Sequence, residues 1–299
     1  MVDISVSIAG LHLRNPTMLA SGVLGMSGKL LKRVASAGAG AVVTKSIGPK
    51  PRPGHPNPTF VELPYGYLNA MGLPNPGIDE FVQEIKIAKE SGVPVIVSVF
   101  GQSPEEFAYV AERAEKAGAS AIEVNVSCPH AEVGLIGQDP VLTREVVRSV
   151  KERVKIPVFV KLTPNVTDIT EIACAAEKAG ADAVTAINTV KAMYIDIESA
   201  KPVLSNKIGG LSGPAIKPIA IRCVYEIYES VRIPIIGVGG IQNWKDAVEF
   251  FLAGASAIQV GSGVIMGLNI FRDICGGIKR YLERKGFTKL REIIGLAHR

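Results

Sequence analysis

Ala37-Gly38-Ala39-Gly40-Ala41-Val42, Ala117-Gly118-Ala119-Ser120-Ala121-Ile122, Ala179-Gly180-Ala181-Asp182-Ala183-Val184 and Ala253-Gly254-Ala255-Ser256-Ala257-Ile258 are four copies of one phrase. Each reads as the end of a helix and the start of a strand. The Gly takes the left-handed conformation that closes a helix, and the small Ala residues let the chain turn back tightly. A second phrase alternates with it, Val93-Pro94-Val95, Ile156-Pro157-Val158 and Ile233-Pro234-Ile235, where Pro, lacking an N–H, belongs at a strand's beginning. Interleaved, the two phrases place strands near 41–46, 93–100, 121–127, 157–162, 183–188, 233–239 and 257–262, and Thr17 to Ala20 supplies an eighth. A strand such as Val95-Ile96-Val97-Ser98-Val99 is nearly all apolar, as expected when both faces are covered. Amphipathic stretches follow most of them, among them Pro104 to Lys116, Pro140 to Val154, Asp168 to Lys178 and Asn243 to Leu252. Eight strand–helix units in 299 residues predict an α/β chain folded as a (β/α)8 TIM barrel, one domain over 1–299. The regular repeat and the missing Rossmann fingerprint disfavour a doubly wound sheet.

Composition narrows the function. With 47% hydrophobic and 20% charged residues the chain can bury one large core, and no apolar run is long enough for a membrane span. The N-terminus enters an alternating pattern at once, without the basic and apolar regions of a signal peptide, so a cytoplasmic location is expected. A net charge of +5 made of scattered residues makes nucleic acid a poor partner and suits a small anionic ligand. Cys128, Cys174, Cys223 and Cys275 stand far apart with no His at ligand spacing, so neither a metal site nor a disulfide framework is expected.

Some segments lie outside the eight units. Residues 3–13 alternate as a hairpin, Ile4, Val6 and Ile8 against Leu11 and Leu13, placed to close the barrel's bottom. Long loops are expected after strand two (from Pro49 to Pro76), after strand four (with Gly134 and Gly137) and after strand six (189–212). Such barrels build their active sites where the strands end.

Those ends are polar. Gly237-Val238-Gly239-Gly240 and Gly261-Ser262-Gly263 follow strands seven and eight, where exposed backbone N–H groups cradle phosphate. Lys45 and Lys161 end strands of apolar residues, so their ammonium groups are expected in the mouth. Asn69, Asn125 and Asn188 offer donors and acceptors to a planar ligand edged with carbonyls and N–H groups. Cys128, in Asn125-Val126-Ser127-Cys128-Pro129-His130, is the thiol placed for chemistry. The other three cysteines fall in helical patterns and read as structural, and His130 reads as solvent-exposed.

Together with Ala20-Ser21-Gly22, Thr44-Lys45-Ser46, Asn69-Ala70-Met71-Gly72-Leu73-Pro74-Asn75, Lys161-Leu162-Thr163-Pro164, Asn188-Thr189 and Gly209-Gly210-Leu211-Ser212-Gly213-Pro214, these motifs resemble the dihydroorotate dehydrogenases, flavin barrel enzymes of pyrimidine biosynthesis. The resemblance covers nearly the whole chain. It implies FMN across the barrel mouth, with its phosphate on Gly239, Gly240, Gly261 and Ser262, Gly213 close by, and Ser21, Lys45, Ser46, Asn125 and Lys161 along the flavin. It also implies dihydroorotate held by Lys45, Asn69, Met71, Gly72, Leu73, Asn125, Asn188 and Thr189, with Cys128 as the base that takes the C5 proton while C6 passes hydride to the flavin. A quinone-linked member would carry Ser at the base position and an N-terminal helical extension, and neither is read here.

The segment from Asn188 to Pro214 is similar to that of the NAD-linked type, whose catalytic chain pairs with a second subunit carrying FAD and a [2Fe-2S] cluster. The expected assembly is a heterotetramer, two catalytic and two electron-transfer chains around a homodimer core. Fumarate-using homodimers, a dihydropyrimidine dehydrogenase-like barrel and a flavin-free phosphate-binding barrel are the alternatives. Against the second of these, the Asn69 to Asn75 loop resembles a clamp for the carboxylate that uracil lacks.

Overall fold

The structure, a computed structural model, describes residues 2–127 and 136–299; Cys128, His130 and Gly134 lie outside the described residues. The strands are β1 (Val6–Ile8), β2 (Leu11–Leu13), β3 (Thr17–Leu19), β4 (Ala41–Val43), β5 (Phe60–Leu63), β6 (Gly66–Asn69), β7 (Val95–Val99), β8 (Ala121–Asn125), β9 (Val158–Leu162), β10 (Ala183–Ala186), β11 (Val190–Met193), β12 (Ile195–Asp196), β13 (Lys201–Pro202), β14 (Ile208–Ser212), β15 (Ile235–Val238) and β16 (Ala257–Val260). The helices are α1 (Gly28–Ser36), α2 (Ile78–Lys89), α3 (Pro104–Ala117), α4 (Pro140–Arg153), α5 (Ile169–Lys178), α6 (Lys217–Ser230), α7 (Trp244–Leu252) and α8 (Ile270–Lys285).

β3, β4, β7, β8, β9, β10, β15 and β16 pair in that order, all parallel, and β16 closes on β3. This is the (β/α)8 barrel expected from the repeats. At each Ala-Gly-Ala phrase the Gly has positive φ, +121° at Gly38, +102° at Gly118, +93° at Gly180 and +117° at Gly254. An L side chain avoids that conformation, so the chain can reverse there into the next strand. Helix starts are set by side chains that accept otherwise orphaned N–H groups: Ser103 for α3, Asp139 for α4, Asp168 for α5, and Asn243 with Asp246 in a reciprocal box for α7.

Strand parity divides the barrel. Outward residues such as Ile122, Val124 and Val160 pack against the helices in the main core. Inward residues at the bottom form a separate apolar cluster of Met18, Ala41, Val43, Ile96, Ala121, Phe159, Ala183, Ile236 and Ala257, and the β1–β2 hairpin plugs it with Ile8 and Leu13. Two residues further along the same strands the inward positions become polar, with Glu123, Lys161, Thr185 and Gln259, all buried. Phe159 fills the bottom layer and is fully buried. Phe159→Ala is expected to cost about 3–5 kcal/mol, read as a lower urea midpoint at unchanged slope. A cost below about 1 kcal/mol would mean that the hairpin collapses into the space.

The excursions after the second and sixth barrel strands are more ordered than loops. β5 and β6 form a hairpin, and β6 pairs with β14 and β14 with β11, giving an antiparallel sheet in the order β11-β14-β6-β5. Leu63, Leu68 and Leu204 make its own small core. The hairpin has a local signature, alternation on both sides of Pro64-Tyr65, but its pairing partner lies about 140 residues away. Among the described residues, no helix is long and apolar enough to cross a membrane, and no group of three metal-ligating side chains comes together.

Candidate functional site

The carboxyl ends of the barrel strands and the four-stranded sheet enclose a cavity of about 950 Å³. Ser21, Lys45, Ser46, Asn125 and Lys161 reach it from the barrel, and Asn69, Met71, Gly72 and Leu73 from β6 and the turn after it. Asn188 and Thr189 reach it from beyond β10, while Gly213, Gly239, Gly240, Gly261 and Ser262 line its other side. The fold thus gathers into one cavity residues spread over more than two hundred positions. Cys128 lies outside the described residues, and its neighbour Ser127 lines the cavity.

The amides are held by one another. Asn125 Nδ2 donates to Ser46 Oγ at 3.0 Å, and Ser46 Oγ stands 2.9 Å from Ser98 Oγ and 3.4 Å from Ser21 Oγ. Asn188 Nδ2 donates to Asn125 Oδ1 at 3.4 Å, and the Thr189 N–H to Asn188 Oδ1 at 2.8 Å. Asn69 Nδ2 donates to the Gly210 carbonyl at 3.2 Å, so the sheet that sequence reading took for loops fixes this amide. Asn165, not singled out from sequence, pins the same wall by donating to the Thr189 carbonyl and accepting the Lys191 N–H. A side chain with its rotamer locked in this way costs little ordering entropy when it binds a ligand.

Both lysines are buried, at 7% exposure for Lys45 and 5% for Lys161. Among the described residues Lys45 Nζ has only a long contact, 3.4 Å, to the Gly22 carbonyl, and burial pushes its ammonium below the ordinary lysine value. Such a cation gains most from an anion entering beside it. Lys161 is held from below by Glu123 and Gln259. Neither of those partners was picked out from sequence. Their signal was a Glu and a Gln at the inward positions of Ala121-Ile122-Glu123-Val124-Asn125 and Ala257-Ile258-Gln259-Val260, where an apolar residue would be ordinary.

Opposite stands an anion cradle. Gly239 and Gly240 have φ of +135° and +74°, and a Cβ on Gly240 would fall 2.8 Å from the Gly213 carbonyl oxygen. The N–H groups of Gly239, Gly240, Gly261 and Ser262 donate to no acceptor among the described residues. Unpaired donors on two adjacent strand ends fit phosphate oxygens. The other cysteines stand apart from this cavity: burial pushes Cys223 and Cys275 up to about 11, which leaves them unreactive thiols. Cys223 is buried as a structural cysteine should be, whereas Cys174 and Cys275 are only partly buried.

Comparison with known proteins gives the family. The family pattern for dihydroorotate dehydrogenase matches residues 3–282. A protein of Methanocella arvoryzae named dihydroorotate dehydrogenase B (NAD(+)), catalytic subunit, is 59% identical over 100% of this chain and 99% of its own length. Proteins of the same name from Methanosarcina acetivorans and Pyrococcus abyssi are 57% and 56% identical, each over 98% of this chain, and over 95% and 97% of their own lengths. A crystal structure of an Eimeria tenella DHODH with ferulenol superposes at a TM-score of 0.88 over 99% of this chain and 89% of that one; at 24% identity it speaks for the fold. With the family pattern matched along nearly its whole length and relatives 56–59% identical over almost all of it, this chain belongs to the dihydroorotate dehydrogenase family.

Proposed function

We propose that this chain is the catalytic subunit of an NAD-linked dihydroorotate dehydrogenase, oxidising dihydroorotate to orotate in pyrimidine biosynthesis. The observation that carries the reading is one cavity in which an anion cradle, two buried lysines and a chain of interlocked amides come together.

The family implies FMN, and the residues present fit it. A volume of about 950 Å³ holds a flavin nucleotide and a small ring together. Gly239, Gly240, Gly261 and Ser262 would take the phosphate beside Gly213. Ser21, Lys45, Ser46, Asn125 and Lys161 would line the ring system. FMN supplies a hydride acceptor for C6 of the substrate. The protein's own groups do the rest. Asn69, Asn125 and Asn188, with Thr189, orient the substrate's amide and carboxylate edges, Met71, Gly72 and Leu73 cover it from the sheet side, and Cys128 takes the C5 proton.

The whole chain serves as one FMN-binding domain. Its electrons would leave through a partner subunit bearing FAD and a [2Fe-2S] cluster, in a cytoplasmic heterotetramer built on a homodimer of this chain. The relatives' shared name supports the NAD-linked form over the fumarate-using one.

The test is the visible spectrum of the purified chain, taken anaerobically before and after dihydroorotate and, separately, dihydrouracil. Bleaching of a flavin band by dihydroorotate alone supports the reading. A flavin band untouched by dihydroorotate overturns the substrate, and no flavin band after FMN reconstitution overturns the cofactor.

Lys45 adds a pH signature. Its ammonium is held below the ordinary lysine value by desolvation, so it loses its charge earlier as pH rises. Orotate affinity is expected to fall with rising pH in the alkaline range below the ordinary value of 10.5, and Lys45→Met should flatten that fall. Titration of the flavin spectrum with orotate at a series of pH values measures it; a slope equal in the two proteins would count against Lys45 as the carboxylate's partner.

A further inference from the structure

Below the cavity floor lies a charge that the reaction does not call for. Glu123 is fully buried inside the barrel, and its Oε2 accepts from Gln259 Nε2 at 2.6 Å and from Thr185 Oγ1 at 3.2 Å. Its Oε1 has no hydrogen-bond partner among the described residues and stands 3.7 Å from Lys161 Nζ. Lys161 Nζ also donates to Gln259 Oε1 at 3.3 Å. The Gln259 amide therefore has both ends engaged, its N–H by Glu123 and its oxygen by Lys161, and it ties the two charged groups into one unit. Among the described residues Glu123 is the sole ion-pair partner of Lys161.

A buried carboxylate is costly, and a buried ion pair adds little net stability over well-packed apolar residues. The same strands show the apolar solution one layer below, at Ala121, Phe159 and Ala257. Stability alone therefore does not account for Glu123. Lys161, at 5% exposure, sits where an ammonium without a partner would turn away toward water. The Glu123 carboxylate, which does not line the cavity, stands behind Lys161 and with Gln259 fixes its Nζ at the cavity floor.

We propose that Glu123 is a positioning residue: acting through Lys161, with Gln259 as the link, it holds the lysine side chain in place and pointed at the flavin edge that gains negative charge on reduction. The inference rests on the FMN reading above.

The test measures FMN content and FMN midpoint potential of the holoenzyme by anaerobic, dye-equilibrated titration. Glu123→Gln is expected to bind FMN and to shift the potential downward, in the same direction as Lys161→Met. The double variant should lie no lower than Lys161→Met alone, because Glu123 acts only through that lysine. Exchanging the two groups, Glu123→Gln with Gln259→Glu, puts a carboxylate where Gln259 Oε1 now meets Lys161 and should restore most of the potential. A merely structural role would give additive shifts and no rescue.

An unchanged or raised potential in Glu123→Gln overturns the proposal, as do additive shifts or a failed rescue. Should Glu123→Gln not fold, Gln259→Met cuts the link instead and must lower the potential for the proposal to stand. A wild-type chain that takes up no FMN overturns the cofactor reading and this inference with it, whereas FMN bound at an unmoved potential overturns the inference alone.

Discussion

Cys128→Ala is expected to keep its FMN and to lose about 10²–10⁴-fold in the rate at which dihydroorotate bleaches the flavin. The C5 proton of dihydroorotate is weakly acidic, and hydride departure from C6 goes with its removal. In the proposed role the Cys128 thiolate would take it, whereas a methyl group offers nothing. Retention of FMN follows because the cradle and both lysines belong to other strand ends. Anaerobic stopped-flow at saturating dihydroorotate reads the rate directly. Undiminished bleaching, or loss of FMN, would remove Cys128 from the role.

Lys161→Met is expected to be nearly as damaging, about 10²–10³-fold in the same bleaching rate. The side chain is buried, faces the cavity and is backed by Glu123 and Gln259. Its charge is worth most when negative charge develops beside it in a site of low dielectric. The loss should fall on the limiting rate rather than on the dihydroorotate concentration needed for half of it. Lys45→Met should show the reverse balance, since among the described residues Lys45 has only the long contact to the Gly22 carbonyl and can pair with the ligand's carboxylate. Equal effects of the two substitutions on both parameters would show that the lysines share one role.

The expected barrel and the observed one agree because the barrel's signals are short in range. A Gly closes a helix, a Pro opens a strand, and Ser103, Asp139, Asp168 and Asn243 cap helices within three residues of themselves. The hairpin at the bottom was equally legible, since β1 and β2 pair across two residues. The sheet above the mouth was not. β6 alternates plainly enough, but β14 runs Ile208-Gly209-Gly210-Leu211-Ser212, a glycine-rich stretch with little strand character of its own. It becomes a strand because Asn69 and Tyr67 lie opposite it, and Gly209 and Gly210 are needed because a Cβ would meet the Asn69 carbonyl and the Thr189 side chain.

The candidate site divides along the same line. Residue types at the strand ends told what the mouth would contain, because in a barrel every strand ends on the same side, so position along the chain already implies a shared cavity. Sequence by itself determined the barrel, the hairpin plug, the glycine cradle and the set of polar residues turned toward one opening. Only the tertiary structure decided which inward residues meet. Glu123, Lys161 and Gln259 stand on β8, β9 and β16, and the contact between Glu123 and Gln259 spans 136 residues. Such a contact leaves no periodicity in the chain. It exists because closing the sheet into a cylinder brings non-neighbouring strands face to face across a narrow interior, where buried charges must find each other.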